Sequence, residues 1–446
     1  MGRRSHSRSL SLWINGAHVG RWTIPARGEM ELRYDEDWAA ADIGRPLSLS
    51  LPFNLDNLPL KGKKVANYFD NLLPDSDIIR QRVAERFRTG STAPFDLLKA
   101  IGRDCAGAVQ ILGEDETPEG FDRIEGTPLS EEAIERHLME TVSARAFGAG
   151  SDPDADFRIS LAGAQEKTAF LWWDGQWQVP RGATPTSHIF KLPLGLVGGR
   201  QADFSTSVDN EWLCLRLLKA YGLEVADANI ANFGKQRVLV VERFDRRVAP
   251  SGDWLMRLPQ EDFCQVEGCS PLLKYENEGG PGLKALFTAL RQSENAEADT
   301  KTLMAAQILF WLLRAPDGHA KNFSIQIQPR GRFRLTRLYD VMSAYPVLGD
   351  GPRQWSPHGI KLAMALLGKN KHYTMQTIQR RHFDSTAQKV GYAPTAEPII
   401  EGILARTPAA IEEVRAELSP DFSPRVAETI LGGLERAAAA LAAMAA

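Results

Sequence analysis

Asp317, Asn322 and Asp340 are three oxygen-bearing side chains whose spacing allows chemistry. An Asp and an Asn five positions apart, then a second Asp about one hairpin later, is the pattern with which phosphoryl-transfer sites hold a catalytic base and magnesium ligands. Asp317 would accept or orient the proton of an attacking hydroxyl, a step that contributes about 10²–10⁴-fold. Asn322 and Asp340 would hold Mg²⁺. A metal-hydrolase reading of Asp317, His319 and Asp340 lacks a second convincing histidine nearby. A purely structural reading makes Asp317-Gly318 a turn and Asp340 a strand-end cap.

The surrounding elements must bring these residues together. Phe323–Gln328 and Phe333–Leu338 alternate apolar and polar residues around Pro329-Arg-Gly-Arg332, which predicts a β-hairpin returning Asp340 toward Asp317. An apolar helix predicted over Lys301–Arg314 leads into the Asp317 loop, with Pro316 restricting Ala315 to extended geometry. Farther upstream, the small-residue run Leu161-Ala-Gly-Ala-Gln-Glu-Lys167 lies between predicted strands at Phe157–Ser160 and Thr168–Trp173. Such a loop lets backbone N–H groups approach phosphates. It lacks the spacing of the familiar phosphate loops, so an ordinary hairpin stays open. His188–Lys191 reads as a strand ending in the lysine that would grip ATP phosphates, and Glu211, opening a helix, could pair with Lys191 or simply favour the helix dipole. Arg237–Phe244 reads as a buried strand whose end, at Glu242 and Phe244, is where a hinge would meet an adenine ring.

The 446 residues, 43% hydrophobic and 24% charged, allow two to four domains with sizeable cores. We expect an α/β unit over 1–120, a second α/β region with the phosphate loop over 121–255, and a mainly helical lobe over 256–446. A net charge of -3 gives no overall attraction to nucleic acid, so DNA contact would need a local basic patch or a partner; the basic cluster Arg380-Arg381-His382 reads first as a solvated helix face, with Arg380 and Arg381 touching phosphates as the alternative. Cys105, Cys214, Cys264 and Cys269 are scattered and read as ordinary thiols of a reducing compartment. The basic N-terminus lacks the apolar run of a signal peptide, and no tract is long enough to span a bilayer, so a cytoplasmic location is expected. Asn15-Gly16 predicts a hairpin, Leu47–Leu51 a strand, Val65–Arg88 two helices broken at Pro74, Ser130 an N-cap, and Thr407-Pro408 a helix start.

Longer runs carry a resemblance. Asp156–Thr168, Leu258-Pro-Gln-Glu-Asp262, Asp317-Gly-His-Ala-Lys-Asn-Phe-Ser324 and Leu338-Tyr-Asp340 resemble the HipA family, the toxin kinases of bacterial HipBA toxin–antitoxin modules. Pro46–Pro52 and Phe69–Asp75 resemble that family's N-terminal region. The resemblance implies an α+β, distant protein-kinase-like fold, with an N-terminal α/β subdomain and an all-α C-terminal lobe. It implies an ATP- and Mg²⁺-dependent serine/threonine protein kinase that phosphorylates an aminoacyl-tRNA synthetase, notably glutamyl-tRNA synthetase, causing growth arrest and persistence. The nucleotide would meet Ser160, Leu161, Ala162, Gly163, Ala164, Gln165, Lys191, Glu242, Phe244, His319, Lys321, Asn322 and Asp340. Ser160 would also be an inactivating autophosphorylation site, since its phosphate adds about -1.5 to -2 charges where ATP phosphates sit. A HipB-like helix-turn-helix antitoxin would carry the toxin to operator DNA. A different class of function is a non-catalytic corepressor stabilising that assembly.

Overall fold

The computed structural model describes residues 7–142, 160 and 165–445. The N-terminal sheet is antiparallel, with strands in the order Leu60–Lys61, Glu31–Tyr34, Ala17–Ile24, Arg8–Ile14 and Gln110–Gly113. Its first hairpin turns at Asn15 and Gly16, with φ of 46° and 82°; this left-handed pair suits the twist of the flanking strands. Beneath the sheet lie the helices Lys63–Asp70 and Asp77–Arg86, separated at Pro74 as expected, and Pro94–Ile101. Trp22 stacks on Phe69 at 3.8 Å in the buried core between them.

The run Leu47–Leu51 is not a strand. Its serines direct the chain elsewhere: Ser48 and Ser50 Oγ donate to the Gln265 carbonyl at 3.1 and 2.6 Å, and the Leu49 amide donates to Glu261 Oε1 at 2.8 Å. Side-chain bonding to distant backbone outcompetes ladder formation here. Glu261 is fully enclosed, its Oε2 has no hydrogen-bond partner among the described residues, and burial pushes its carboxyl from the ordinary 4.5 up to about 8. The folded state therefore holds this proton more tightly than the unfolded chain. Its contribution is full below about pH 4.5 and is lost as pH rises toward about 8. Wild type should accordingly lose up to about 1.4 kcal/mol per pH unit in that window relative to Glu261→Gln. Urea midpoints of the two proteins from about pH 5 to 8 check this; parallel curves would refute it.

A six-stranded antiparallel sheet follows, ordered Ala228–Phe233, Gln236–Glu242, His188–Lys191, Lys167–Trp173, Gln176–Pro180 and Gly126–Pro128. The helix Glu131–Val142 begins at Ser130, whose Oγ accepts from the Ala133 amide at 3.2 Å. The other covering helix, Ser207–Ala220, is buried along most of its length. The C-terminal lobe is mainly rather than wholly helical. The helices Leu283–Leu290, Ala296–Leu312, Arg380–Lys389, Glu397–Ala416 and Pro424–Ala442 surround a sheet of Gln260–Asp262, Ser324–Ile327 and Phe333–Leu335, and a hairpin of Lys361–Leu367 with Lys371–Thr374. Thr407-Pro408 lies inside the helix Glu397–Ala416. There the Thr407 hydroxyl donates to the Ile403 carbonyl at 2.8 Å and meets the Tyr221 hydroxyl at the same distance, anchoring the helix through the proline. Among the described residues no helix is long and apolar enough to cross a membrane.

A buried ionic cluster joins the N-terminal region to the sheet behind the cavity. Asp104 meets Arg243 at 3.2 Å, Arg246 at 2.8 Å and Arg257 at 3.4 Å, and Asp245 pairs with Arg243 and Arg246. Thr186 Oγ1 donates to Asp104 at 2.6 Å, and the Gly107 amide donates to Asp245 at 2.7 Å. Burial alone would raise the Asp104 pKa, but the three guanidiniums hold it far below the carboxylate range.

Candidate active site

The helix Ala296–Leu312 is apolar and buried on nearly all faces, and ends where Arg314 takes φ 50° and the Ala315 amide bonds the Phe310 carbonyl. Pro316 follows as a helix stop. At Gly318 a Cβ would stand 2.5 Å from the Phe310 ring, so glycine is required for the loop to pack onto the helix. A single 3₁₀ turn, Ala320–Asn322, then feeds the strand Ser324–Ile327, which pairs with Phe333–Leu335 as the expected hairpin.

That hairpin returns Asp340 to the loop. Asn322 Nδ2 donates to the Asp317 carbonyl at 2.8 Å and reaches the Asp340 carbonyl at 3.5 Å. Tyr339 donates to the Lys321 carbonyl at 2.9 Å, and Leu338 exchanges backbone bonds with Glu224 and Ala226. Just beyond, Asn210 clamps Ser343 through both its amide groups at 2.7 and 2.8 Å. Asp340 itself has φ 58°, a left-handed conformation that Asp tolerates better than most residues.

Lys191 ends its strand between two carboxylates, 2.6 Å from Glu211 and 2.9 Å from Asp340. Burial opposes its charge, yet the two carboxylates hold the ammonium above the ordinary lysine value. Burial also pushes Glu211 up despite Lys191, whereas Lys191 and Lys167 keep Asp340 down. Lys167 sits opposite Lys191 in strand register. Burial and the neighbouring Lys191 lower it to about 8, so a polyanion bound here would draw it into its charged form.

These groups share a cavity of about 540 Å³, a size suited to a nucleotide-sized ligand. Ile189, Val241, Phe244, Tyr339 and Met342 form apolar walls, while Gln165, Lys167, Lys191, Asp317, Asn322 and Asp340 supply polar groups. Glu242 and His319 also line it. Leu161, Ala162, Gly163 and Ala164 lie outside the described residues. Ser160 does not line the cavity: it is fully buried, with Oγ donating to the Leu72 carbonyl at 2.7 Å and its amide donating to the Asp104 carbonyl. The Lys321 ammonium is engaged by Asp262 at 2.9 Å and by the Asn71 side chain and carbonyl at 2.8 and 3.1 Å, so it fixes the loop's position. Arg380 is buried against Glu397 and Glu401 and does not offer itself to DNA phosphates.

Sequence reasoning missed Asn71, Asp75, Asn210, Lys274 and Tyr275. Lys274 pairs with Asp75 at 3.0 Å, and the Tyr275 hydroxyl donates to Asp317 Oδ1 at 2.5 Å. Asp75 lies within Phe69–Asp75, so the N-terminal resemblance was the available signal; Tyr275 had none.

Residues 10–112 match the HipA N-terminal domain, and residues 159–411 match the HipA-like C-terminal domain. The chain belongs to the HipA family. It is 32% identical over 419 residues to the putative kinase Y4mE of Sinorhizobium fredii, covering 92% of this chain and 93% of that protein. It is 27% identical over 350 residues to the serine/threonine-protein kinase toxin HipA of Shewanella oneidensis, covering 75% of each. The HipA fold is also found in the solved Shewanella oneidensis complex of HipA, HipB and operator DNA. That chain aligns with a TM-score of 0.76 and 24% identity, over 96% of this chain and 97% of its own.

Proposed function

We propose that this HipA-family chain is a toxin kinase that transfers the ATP γ-phosphate to a serine or threonine of a protein. The observation that carries the reading is Lys191 held between Glu211 and Asp340 on one wall of a nucleotide-sized cavity, with Asp317 and Asn322 also lining it. Lys191 orients the phosphates, and Phe244 with Tyr339, their rings 5.8 Å apart, offers an apolar place for the base. Asp317 takes or orients the acceptor's proton. The related kinases named above support the activity. We retain the units 1–120, 121–255 and 256–446 within this proposal.

Among the described residues no cluster of three His, Cys, Asp or Glu side chains is arranged to hold a metal. Mg²⁺ needs less than that, since it keeps waters and takes one or two carboxylates along with substrate phosphates. Asp340 and Asn322 fit it: the Asn322 amide nitrogen is engaged by carbonyls, leaving its oxygen as the hard donor, and both side chains line the same cavity. When bound, the ion would neutralise charge on the phosphates.

Asp317→Ala, folded as judged by circular dichroism, should transfer radiolabelled phosphate from ATP about 10²–10⁴-fold more slowly than wild type. An unchanged rate would refute the assignment. Within this reading Ser160 is a self-modification site, and because it is buried on Leu72 the segment must leave that place to be phosphorylated. Mass spectrometry should find phosphate on Ser160 of wild type; phosphate persisting in Asp317→Ala made without other kinases would rule self-modification out. We assign as further parts of this proposal an aminoacyl-tRNA synthetase substrate, glutamyl-tRNA synthetase first, and a HipB-like antitoxin that mediates contact with operator DNA. The complete set of Lys191, Asp317, Asn322 and Asp340 speaks against a purely corepressor role.

A further inference from the structure

Tyr275 stands 42 residues before Asp317, yet its hydroxyl donates to Asp317 Oδ1 at 2.5 Å. The segment carrying it is tied on both sides. Lys274 pairs with Asp75, and its carbonyl accepts from the Ala320 amide at 3.4 Å. Glu276 accepts from the Ala365 amide at 2.6 Å and pairs with Lys371 at 2.8 Å. The Tyr275 ring meets the His319 ring edge-on, with centroids 5.0 Å apart and planes at 87°. The hydroxyl therefore comes from a held ring.

Asp317 otherwise has much freedom. Its side chain is 43% exposed, and His319 Nε2, at 3.8 Å, is beyond hydrogen-bond reach. Among the described residues its second carboxylate oxygen accepts no hydrogen bond, and the side chain lines the cavity. One oxygen is held and the other is open. A base that must meet an acceptor hydroxyl gains rate from an orientation fixed before the acceptor arrives.

We infer that Tyr275 is a positioning residue for phosphoryl transfer, which by holding Oδ1 of Asp317 turns Oδ2 toward the acceptor hydroxyl. This rests on the kinase reading of the site. The opposite role is also chemically definable: a hydroxyl on the base could compete with the acceptor, and its removal would then speed transfer.

The experiment is single-turnover transfer of radiolabelled phosphate from ATP by the full chain. Dephosphorylated casein serves as acceptor, and label on the chain itself is counted separately. Wild type, Tyr275→Phe, Asp317→Ala and the double variant are compared. Phenylalanine keeps the ring against His319, and thermal melting together with binding of a fluorescent ATP analogue verifies each fold and nucleotide site. Tyr275→Phe should slow transfer about tenfold or more, the scale of one charge-assisted hydrogen bond, with nucleotide affinity and melting kept. The same change made in Asp317→Ala should have no effect, because Tyr275 acts through that carboxylate.

A wild-type rate in Tyr275→Phe, a faster rate, or an equal loss in both backgrounds would each overturn the inference. A slow Asp317→Ala beside a normal Tyr275→Phe removes the inference alone. A normal Asp317→Ala, or a wild type that labels neither acceptor, removes the kinase reading beneath it.

Discussion

Lys191→Met should abolish measurable phosphoryl transfer and destabilise the protein by about 3–5 kcal/mol at neutral pH. Both effects come from one geometry. The ammonium is the positive partner 2.6 Å from Glu211 and 2.9 Å from Asp340, and Glu211 is almost fully buried. Methionine leaves two carboxylates facing each other with Lys167 as the remaining counter-charge. The sign with pH follows. In wild type the Lys191 pKa is raised, so its contribution is full below the ordinary lysine value of 10.5 and is lost only in strong alkali. In the variant the orphaned carboxylates take up protons more readily, so the deficit should shrink as pH falls from about 8 toward 5. Urea denaturation across that range checks it. Lys191→Met with Glu211→Gln should recover much of the stability and none of the transfer. Recovery of both would deny Lys191 a role with phosphates.

Asp104→Ala should cost about 3–5 kcal/mol as well, through a buried cluster whose Arg243 and Asp245 border the cavity. Among the described residues, Arg243 and Arg246 would be left with Asp245, Arg257 would lose its carboxylate partner, and Thr186 would lose its acceptor. The Asp104 carboxyl is held far below its ordinary 3.8, so its contribution is present at neutral pH and is lost as pH falls through the folded value. The deficit of Asp104→Ala against wild type should therefore be constant from about pH 8 to 5 and narrow only in strong acid, which guanidine-free urea titrations will read. A loss under about 1 kcal/mol would mean that the cluster is better solvated than its burial indicates. Arg243 immediately precedes Phe244, so nucleotide affinity should weaken in the same variant.

The parts of this site visible in the sequence are those whose partners are near in the chain. Asp317, Asn322 and Asp340 are joined by a hairpin whose alternation is explicit, and Lys191 lies 20 residues from Glu211. Asn15-Gly16 and Pro74 announce their turns by backbone preference alone. Other contacts are distant and carry no pattern: Lys321 meets Asn71 across 250 positions, and Arg243 meets Asp104 across 139. Leu47–Leu51 misleads because alternation marks which residues face inward without saying what the serines will bond. Arg380 misleads because a basic run looks solvent-facing until Glu397 and Glu401 arrive from the next helix.

The family descriptions divide the chain into two stretches, with a gap between 112 and 159. The hydrogen bonds do not respect that division. Asn71 and Asp75, in the first stretch, hold Lys321 and Lys274, which line the same cavity as Asp317 in the second. Modularity of descent is thus not modularity of mechanism: the two stretches must be inherited together, and a recombinant that joined the second to a foreign partner would keep every residue of the chemistry while losing the frame that sets them in register.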